Sequence, residues 1–268
     1  MRTPFTYTQI YNNIEKASSY WKNISAKEKT NQSYIDKWLC QVPFLEEQSR
    51  RSHMFIFLYD TNAQRFIYVL DEKQILGGYD LILYTAENGV EFSFSRLHPL
   101  FLNSMLALQK IALSHMFSSE CSTQDFEPIA SMDTLYRKKD ENYFHLLQQS
   151  VTVERDAEGM PALILSYGHD ITPLKKEGTA NLVINNRHDI KIWNYNFDKE
   201  QTEEVKPISP QERKVLELLN QGRDTKKIAA ELFISPLTVD THRRNLLKKT
   251  NCVDTTALIT YAKIVGIL

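Results

Sequence analysis

Ser209-Pro210, Asp224 and Ser235-Pro236 are three helix starts in close succession, and they restrict this chain more than any other feature. Ser209 can cap a helix, Pro210 suits the first helical position, where an N–H has no partner anyway, and Glu212 can return a bond to the cap. Val215, Leu216 and Leu219 then line one face as far as Gly222, which supplies a stop. Asp224 opens a second helix with Ile228, Ala229 and Leu232 facing inward. Only Phe233-Ile234 separates it from the next start, and two helices joined so tightly must cross at a large angle. A third helix is expected over Pro236 to Thr250. A fourth starts near Asp254 and buries Ala257, Leu258, Tyr261 or Ala262. The expectation is an all-α unit of four short helices.

The third helix has two faces. Val239, Leu246 and Thr250, with His242 at the edge, form a packing stripe, while Leu237, Asp240, Thr241, Arg244 and Lys248 form a polar one at spacings of three and four. A helix of this size fits the major groove, where such side chains meet base edges. Charge agrees with an anionic partner. From Val205 to Leu268 there are eleven Lys and Arg against six Asp and Glu, whereas the rest of the chain is acidic, with 21 against 27.

Three runs carry a resemblance: Ile208-Ser-Pro-Gln-Glu-Arg-Lys-Val-Leu, Gly222-Arg-Asp-Thr-Lys-Lys-Ile-Ala, and Ile234-Ser-Pro-Leu-Thr-Val-Asp-Thr-His-Arg-Arg-Asn-Leu. Residues 208–268 resemble, in order and without a gap, the LuxR-type (FixJ-type) helix-turn-helix of bacterial transcription regulators. The resemblance implies that the third helix reads DNA and that the fourth contributes to dimer contacts. It places Asp240, Thr241 and Arg244 where bases are usually faced, with Arg244 suited to a bidentate contact with guanine. Thr225, Lys226, Thr238, His242, Arg243 and Lys248 fall where phosphates are contacted, which positions a protein without reading sequence. Two residues depart from the pattern. Gln211 stands where the family commonly has arginine, and Asp240 is an acid on the reading face, which disfavours phosphate and can accept from cytosine.

Upstream the periodicity changes to that of strands. Met54 to Asp60 and Arg65 to Leu70 are apolar or aromatic on both faces around a turn at Thr61-Asn62-Ala63, which implies paired strands covered on both sides. Short helical pieces are expected through Asp71 to Tyr79, and a longer amphipathic helix from Pro99 to Phe117. Strands return at Met132 to Lys138, Tyr143 to Arg155 and Ala162 to His169. With Tyr59-Asp60, Lys73-Gln-Ile-Leu-Gly, Leu97-His98-Pro99, Arg155-Asp-Ala-Glu-Gly and Gly168-His-Asp-Ile-Thr, this order resembles a PAS domain over about residues 50–173. That resemblance implies a sensor or dimerisation module with a pocket between the strands and the long helix, among Phe57, Tyr68, Phe94 and Leu106. Residues 1–50 read as a helical cap, with Ile10, Ile14 and Trp21 at near-helical spacing, and residues 181–197 as an added hairpin turning at Asn185-Asn-Arg-His.

The expected class is therefore α+β: a PAS-like antiparallel sheet with flanking helices, followed by the four-helix domain. The expected divisions are 1–50 for the cap, 51–197 for the PAS-like domain, 198–207 for a polar, proline-ended linker, and 208–268 for the helix-turn-helix.

Several chemistries are excluded. The eight glycines build neither G-x-G-x-x-G nor G-x-x-x-x-G-K-[ST], so the common phosphate cradles are missing. Cys40, Cys121 and Cys252 form no C-x-x-C, and the seven histidines form no metal cluster. No cysteine motif for a covalent flavin is found, and His115, near the end of the long helix, reads as structural rather than as a haem ligand. No cofactor or metal is expected. Asp60 and Asp71 are lone acids after their strands, which disfavours a phosphoryl switch. Met1 to Thr8 is polar with no apolar run behind it, and Phe101 to Phe117 is interrupted by polar residues, so a cytoplasmic setting away from the membrane is expected. The expected function is a non-enzymatic homodimer that binds an inverted-repeat operator and answers to an unknown small molecule or protein. The competing reading is a cofactor-dependent sensor or enzyme whose helical tail binds a protein partner.

Overall fold

Asp60 shows how the first strands are joined. Its Oδ1 accepts from the backbone N–H groups of Asn62 and Ala63, both at 3.0 Å, which turns the chain between Phe55–Asp60 (β1) and Arg65–Leu70 (β2). Asp71 plays the same part after β2, accepting from the N–H groups of Ile75 and Leu76 at 2.7 Å each. Both acids are thus turn makers. The structure is a computed structural model that describes residues 30–116, 127–186 and 189–268. Ile10, Ile14, Trp21, Phe117 and the hairpin tip at 187–188 lie outside the described residues.

Within that range the cap contributes Gln32–Leu39 (α1) and Val42–Ser52 (α2). The segment from Asp71 to Tyr79, expected as helical, is turns instead. Gly77 and Gly78 have φ of +91° and +77°, and a Cβ on Gly77 would lie 2.7 Å from the Lys138 Cα, so the chain bends where a helix would have run. Short helices follow later, at Ile82–Thr85 (α3) and Gly89–Ser95 (α4). Pro99–Phe101 is a single 3-10 turn that leads into Leu102–Met116 (α5).

The strands Ile129–Arg137 (β3), Tyr143–Arg155 (β4) and Pro161–Asp170 (β5) join β1 and β2 in an antiparallel sheet. Its edge is extended by Asn181–Asn185 (β6), Ile190–Asn196 (β7) and Gln201–Val205 (β8). Among the described residues the order is β2-β1-β5-β4-β3-β6-β7-β8. Half of the run expected as a linker at 198–207 is instead β8, paired with β7 from Asn196↔Gln201 to Ile192↔Val205. An edge strand needs few apolar side chains, so its composition imitates a linker. What remains between the units is Lys206 to Ser209.

One face of the sheet packs on α3, α4 and α5 through Phe55, Tyr84, Phe94, Leu108, Phe144 and Trp193. The other face is shared. Toward β1 it carries α1, with Ile35 against Leu58 and Leu163. Toward β6 and β7 it carries the C-terminal helices Pro210–Asn220 (α6), Thr225–Glu231 (α7), Pro236–Thr250 (α8) and Thr255–Ile264 (α9). Leu147, Val183 and Ile192 of the sheet are buried with Leu216, Leu246, Leu258 and Tyr261. Each fully buried Leu or Ile there contributes about 1.5–3 kcal/mol. The class observed is the α+β arrangement that the sequence implies, a PAS-like antiparallel sheet with flanking helices and a four-helix C-terminal domain.

Candidate nucleic-acid interface

The C-terminal helices begin as their residues dictate. Ser209 Oγ accepts from the Glu212 N–H at 3.2 Å while Glu212 Oε2 accepts from the Ser209 N–H at 2.7 Å, a reciprocal cap with Pro210 at the first position. Burial alone would push the Glu212 carboxyl up. Hydrogen bonds from Lys249 Nζ, at 2.6 Å, and from the Ser209 backbone hold it below its ordinary value. Lys249 also donates to the Pro207 carbonyl at 2.8 Å, so the end of α8 is tied to the start of α6. Asp224 accepts from the Lys227 N–H at 2.8 Å, and that bond lowers its carboxyl pKa.

Between α7 and α8 the chain turns at Phe233, with φ of +54°, and Ser235 Oγ then accepts from the Thr238 N–H at 3.1 Å. Helix α8 turns Val239, Leu246 and Thr250 into the interior, while Thr241, Arg244 and Lys248 are exposed. Thr238, Asp240, His242 and Arg243 are half-buried. On α7, Thr225 is half-buried and Lys226 exposed.

Neighbouring side chains organise this surface. Arg244 Nη2 donates to Thr241 Oγ1 at 3.3 Å, and that hydroxyl donates to the Leu237 carbonyl at 2.9 Å. Asp240 is engaged by Arg243, whose Nη2 lies 2.8 Å from Oδ1. The arrangement is a capped helix on a rigid support that presents two exposed cations and a hydroxyl at one-turn spacing.

Helix α9, for which the resemblance implies dimer contacts, buries Leu258, Tyr261 and Ala262 and leaves Thr256, Thr260 and Lys263 exposed.

The expected pocket exists, with different walls. A cavity of about 110 Å³ lies between the sheet and α5. Phe57 and Phe94 line it as expected; Tyr68 and Leu106 do not. The pairing runs Leu58↔Tyr68 and then Tyr59↔Phe66, so Ile67 is the extra residue of a bulge. Phe66 therefore faces the cavity, while Tyr68 turns to the opposite face and packs near Leu58, donating to Glu46 at 3.2 Å. Leu106 packs in the core beside the cavity. Sequence reasoning missed the polar lining, Ser93, Gln109, Gln148, Ser150 and Ser166. Ser150 and Ser166 hydroxyls are 2.8 Å apart and Gln148 Nε2 donates to Ser150 at 3.1 Å, whereas Gln109 Oε1 is buried with no hydrogen-bond partner. The available signal was a glutamine inside an otherwise apolar helix face and another inside a strand. His115, set aside as structural, has Nδ1 3.0 Å from the Ile111 carbonyl and its ring on Trp193.

A capped helix-turn-helix with a basic, exposed recognition helix, attached to an α+β body, defines the class: a two-part protein with a C-terminal DNA-binding type of fold. Residues 206–262 match the model for "Bacterial regulatory proteins, luxR family". The spore germination protein GerE of Bacillus subtilis is 48% identical over 52 residues, 19% of this chain and 70% of GerE. The chain belongs to the LuxR family of bacterial regulatory proteins. It is also 45% identical over 62 residues to the transcriptional regulatory protein MctR of Rhizobium johnstonii, 23% of this chain, and spans only 29% of that relative's length. Among solved structures, a VqmA–ligand–DNA complex of Vibrio cholerae covers 85% of this chain and 87% of its own, at 17% identity and a TM-score of 0.30. No helix among the described residues is long and apolar enough to cross a membrane.

Proposed function

We propose that this protein is a sequence-specific DNA-binding transcription regulator that acts as a cytoplasmic homodimer on an inverted repeat. The exposed row of Thr241, Arg244 and Lys248 along α8 carries the reading. Basic side chains of the C-terminal domain capture the phosphate backbone, and α8 then enters the major groove. Arg244 reads a base, while Lys248, Lys226, Thr225, Thr238, His242 and Arg243 hold phosphates. The pairing of Asp240 with Arg243 supports a role for Asp240 in aiming that guanidinium, beside a contact with cytosine.

The body senses. Its cavity has aromatic walls, polar side chains that include Ser93, Gln109, Gln148, Ser150 and Ser166, and no charged residue in its lining, which suits a small uncharged molecule with a donor for Gln109 Oε1. The test is a pair of substitutions on a duplex selected with the wild-type protein. Arg244→Ala should cost about 1–3 kcal/mol on the selected site and little on random DNA, whereas Lys248→Ala should weaken both alike. If neither substitution changes binding to any selected duplex, the reading fails.

A further inference from the structure

The last carbonyls of a helix have no donor within the helix. At the end of α8 one of them is met from outside the domain: the Thr250 carbonyl accepts a hydrogen bond from Lys175 Nζ at 2.7 Å. Lys175 lies just after β5, on the sheet body. The same ammonium lies 2.7 Å from Asp133 Oδ2 on β3, donates to Asn181 Oδ1 at 3.0 Å, and sits 3.9 Å from the ring centre of Tyr261 on α9. Both charged side chains are 0% exposed. Asp133 Oδ1 accepts from the Asn181 N–H at 2.5 Å.

The backbone is stitched at the same place. Lys176 N–H donates to the Asn251 carbonyl and Val253 N–H to the Leu174 carbonyl, each at 3.1 Å. A cation at a helix carboxyl end is favourable. A buried ion pair is nonetheless a poor way to gain stability, because desolvation offsets the attraction; its better-attested use is to fix a register. Nothing in the surface chemistry of α8 uses this pair.

The units also meet through the covalent passage from Val205 to Pro210 and through the apolar packing of Leu147, Val183 and Ile192 against the C-terminal helices. Apolar packing is non-directional, whereas the bond from the Lys175 ammonium to the Thr250 carbonyl holds the far end of α8 itself in one direction. The joint also shares its strands with the cavity. Ala130 and Met132 of β3 line the cavity, while Ser131 and Asp133 point to the opposite side; Gln148 and Ser150 of β4 line it, while Gln149 donates to the Ile264 carbonyl at 3.0 Å.

We propose that Lys175 and Asp133 are positioning residues for DNA recognition: through the Thr250 carbonyl they set the direction of α8 on the sheet, and thereby the half-site spacing that a dimer accepts. The inference rests on the DNA-binding dimer proposed above. Neither residue touches DNA; both act through α8.

The test uses the full chain as wild type, as Lys175→Met, and as Lys175→Met/Asp133→Asn. The single variant leaves a buried carboxylate without its cation. The double variant removes that charge while the amide oxygen still accepts from the Asn181 N–H. In the DNA-free protein, hydrogen exchange at residues 250–253 and 257–262 should quicken by at least about tenfold in the single variant. It should fall back toward wild type in the double variant, with β1 and β2 unchanged in both. Unchanged exchange in the single variant would overturn the joint.

In the second arm, selected half-sites are placed at separations stepped by single base pairs, at constant salt. Wild type should lose about tenfold or more away from its best separation, and Lys175→Met should flatten the profile to within about threefold while binding an isolated half-site normally. A variant that is merely unstable lowers every point equally, and an unflattened profile overturns the proposal. If wild type binds no selected DNA, the regulator reading itself fails; exchange that still responds to Lys175→Met would then leave a joint without the proposed role, and the spacing proposal falls with it.

Discussion

Arg243 and Asp240 are paired on the half-buried flank of the recognition helix, with Nη2 2.8 Å from Oδ1 and one turn between them. In the proposed DNA complex an acid at this position is unfavourable toward phosphate, and its pairing with Arg243, proposed as a phosphate contact, cancels part of that disadvantage. Asp240→Asn should therefore release Arg243 and remove a repulsion together. Binding to random duplex, measured by fluorescence anisotropy at low salt, should tighten by about three- to tenfold. The preference between selected and random DNA should narrow. Unchanged affinity for random duplex would mean that Asp240 lies away from the backbone.

Lys248 is exposed and makes no hydrogen bond or ion pair among the described residues, which suits a lone phosphate contact. For a dimer, Lys248→Ala should reduce the slope of log affinity against log salt by about 0.9 for each phosphate that is no longer neutralised. Arg244→Ala should lower affinity for the selected site while leaving much of the slope in place. Equal effects of the two substitutions on the slope would mean that Arg244 also holds phosphate.

Burial lowers the pKa of three histidines, His98, His145 and His169, from the ordinary 6.5. His145 is the most enclosed, at 3% exposure. For His145, desolvation outweighs the attraction of Asp133, and Lys175 adds repulsion, with Asp170 and Glu177 opposing it. Because each folded value lies below the unfolded one, the unfolded chain takes up protons first as pH falls. Stability should be full above about pH 6.5 and decline below it, by at most about 1.4 kcal/mol per pH unit for each histidine. His145→Leu should flatten that decline in urea unfolding curves taken between neutral pH and about pH 5. The same decline in the variant would place the acid sensitivity elsewhere.

Gln109 Oε1 is buried in the cavity wall without a hydrogen-bond partner. Gln109→Leu should raise the stability of the ligand-free protein by about 1 kcal/mol, read as a higher Tm, because an unmet acceptor is removed. The same substitution should abolish the response to any effector that donates to this oxygen. A lower Tm would mean that the amide makes a bond to water that matters for the fold.

The elements legible beforehand are those whose signals are local. The caps at Ser209, Asp224, Ser235 and Asp254 act on N–H groups three residues away, and each helix of the C-terminal domain begins where such a signal stands. The strands from Phe55 to Asp170 were likewise legible, because short apolar or aromatic runs stand between turns made by Asp60, Asp140 and Asp156. The outward stripe of α8 needed only helical spacing.

What was not legible depends on partners distant in the chain. The polar run Gln201–Val205 is a strand because β7 pairs with it; alone it reads as a linker. Tyr68 leaves the cavity because a bulge against β1 shifts the alternation by one residue, and no local rule announces that shift. Lys175 and Asp133 are ordinary charged residues in sequence, separated from Thr250 by the length of a domain. By itself the sequence determined the four helices of the C-terminal domain, the main strands of the body and which side of α8 carries the basic stripe, since those follow from hydrogen bonds and periodicities within a few residues. Only the tertiary structure decided where the four helices rest on the sheet, which polar groups line the cavity and which cation meets the end of α8. Those outcomes come from burial and pairing between segments that sequence order does not bring together.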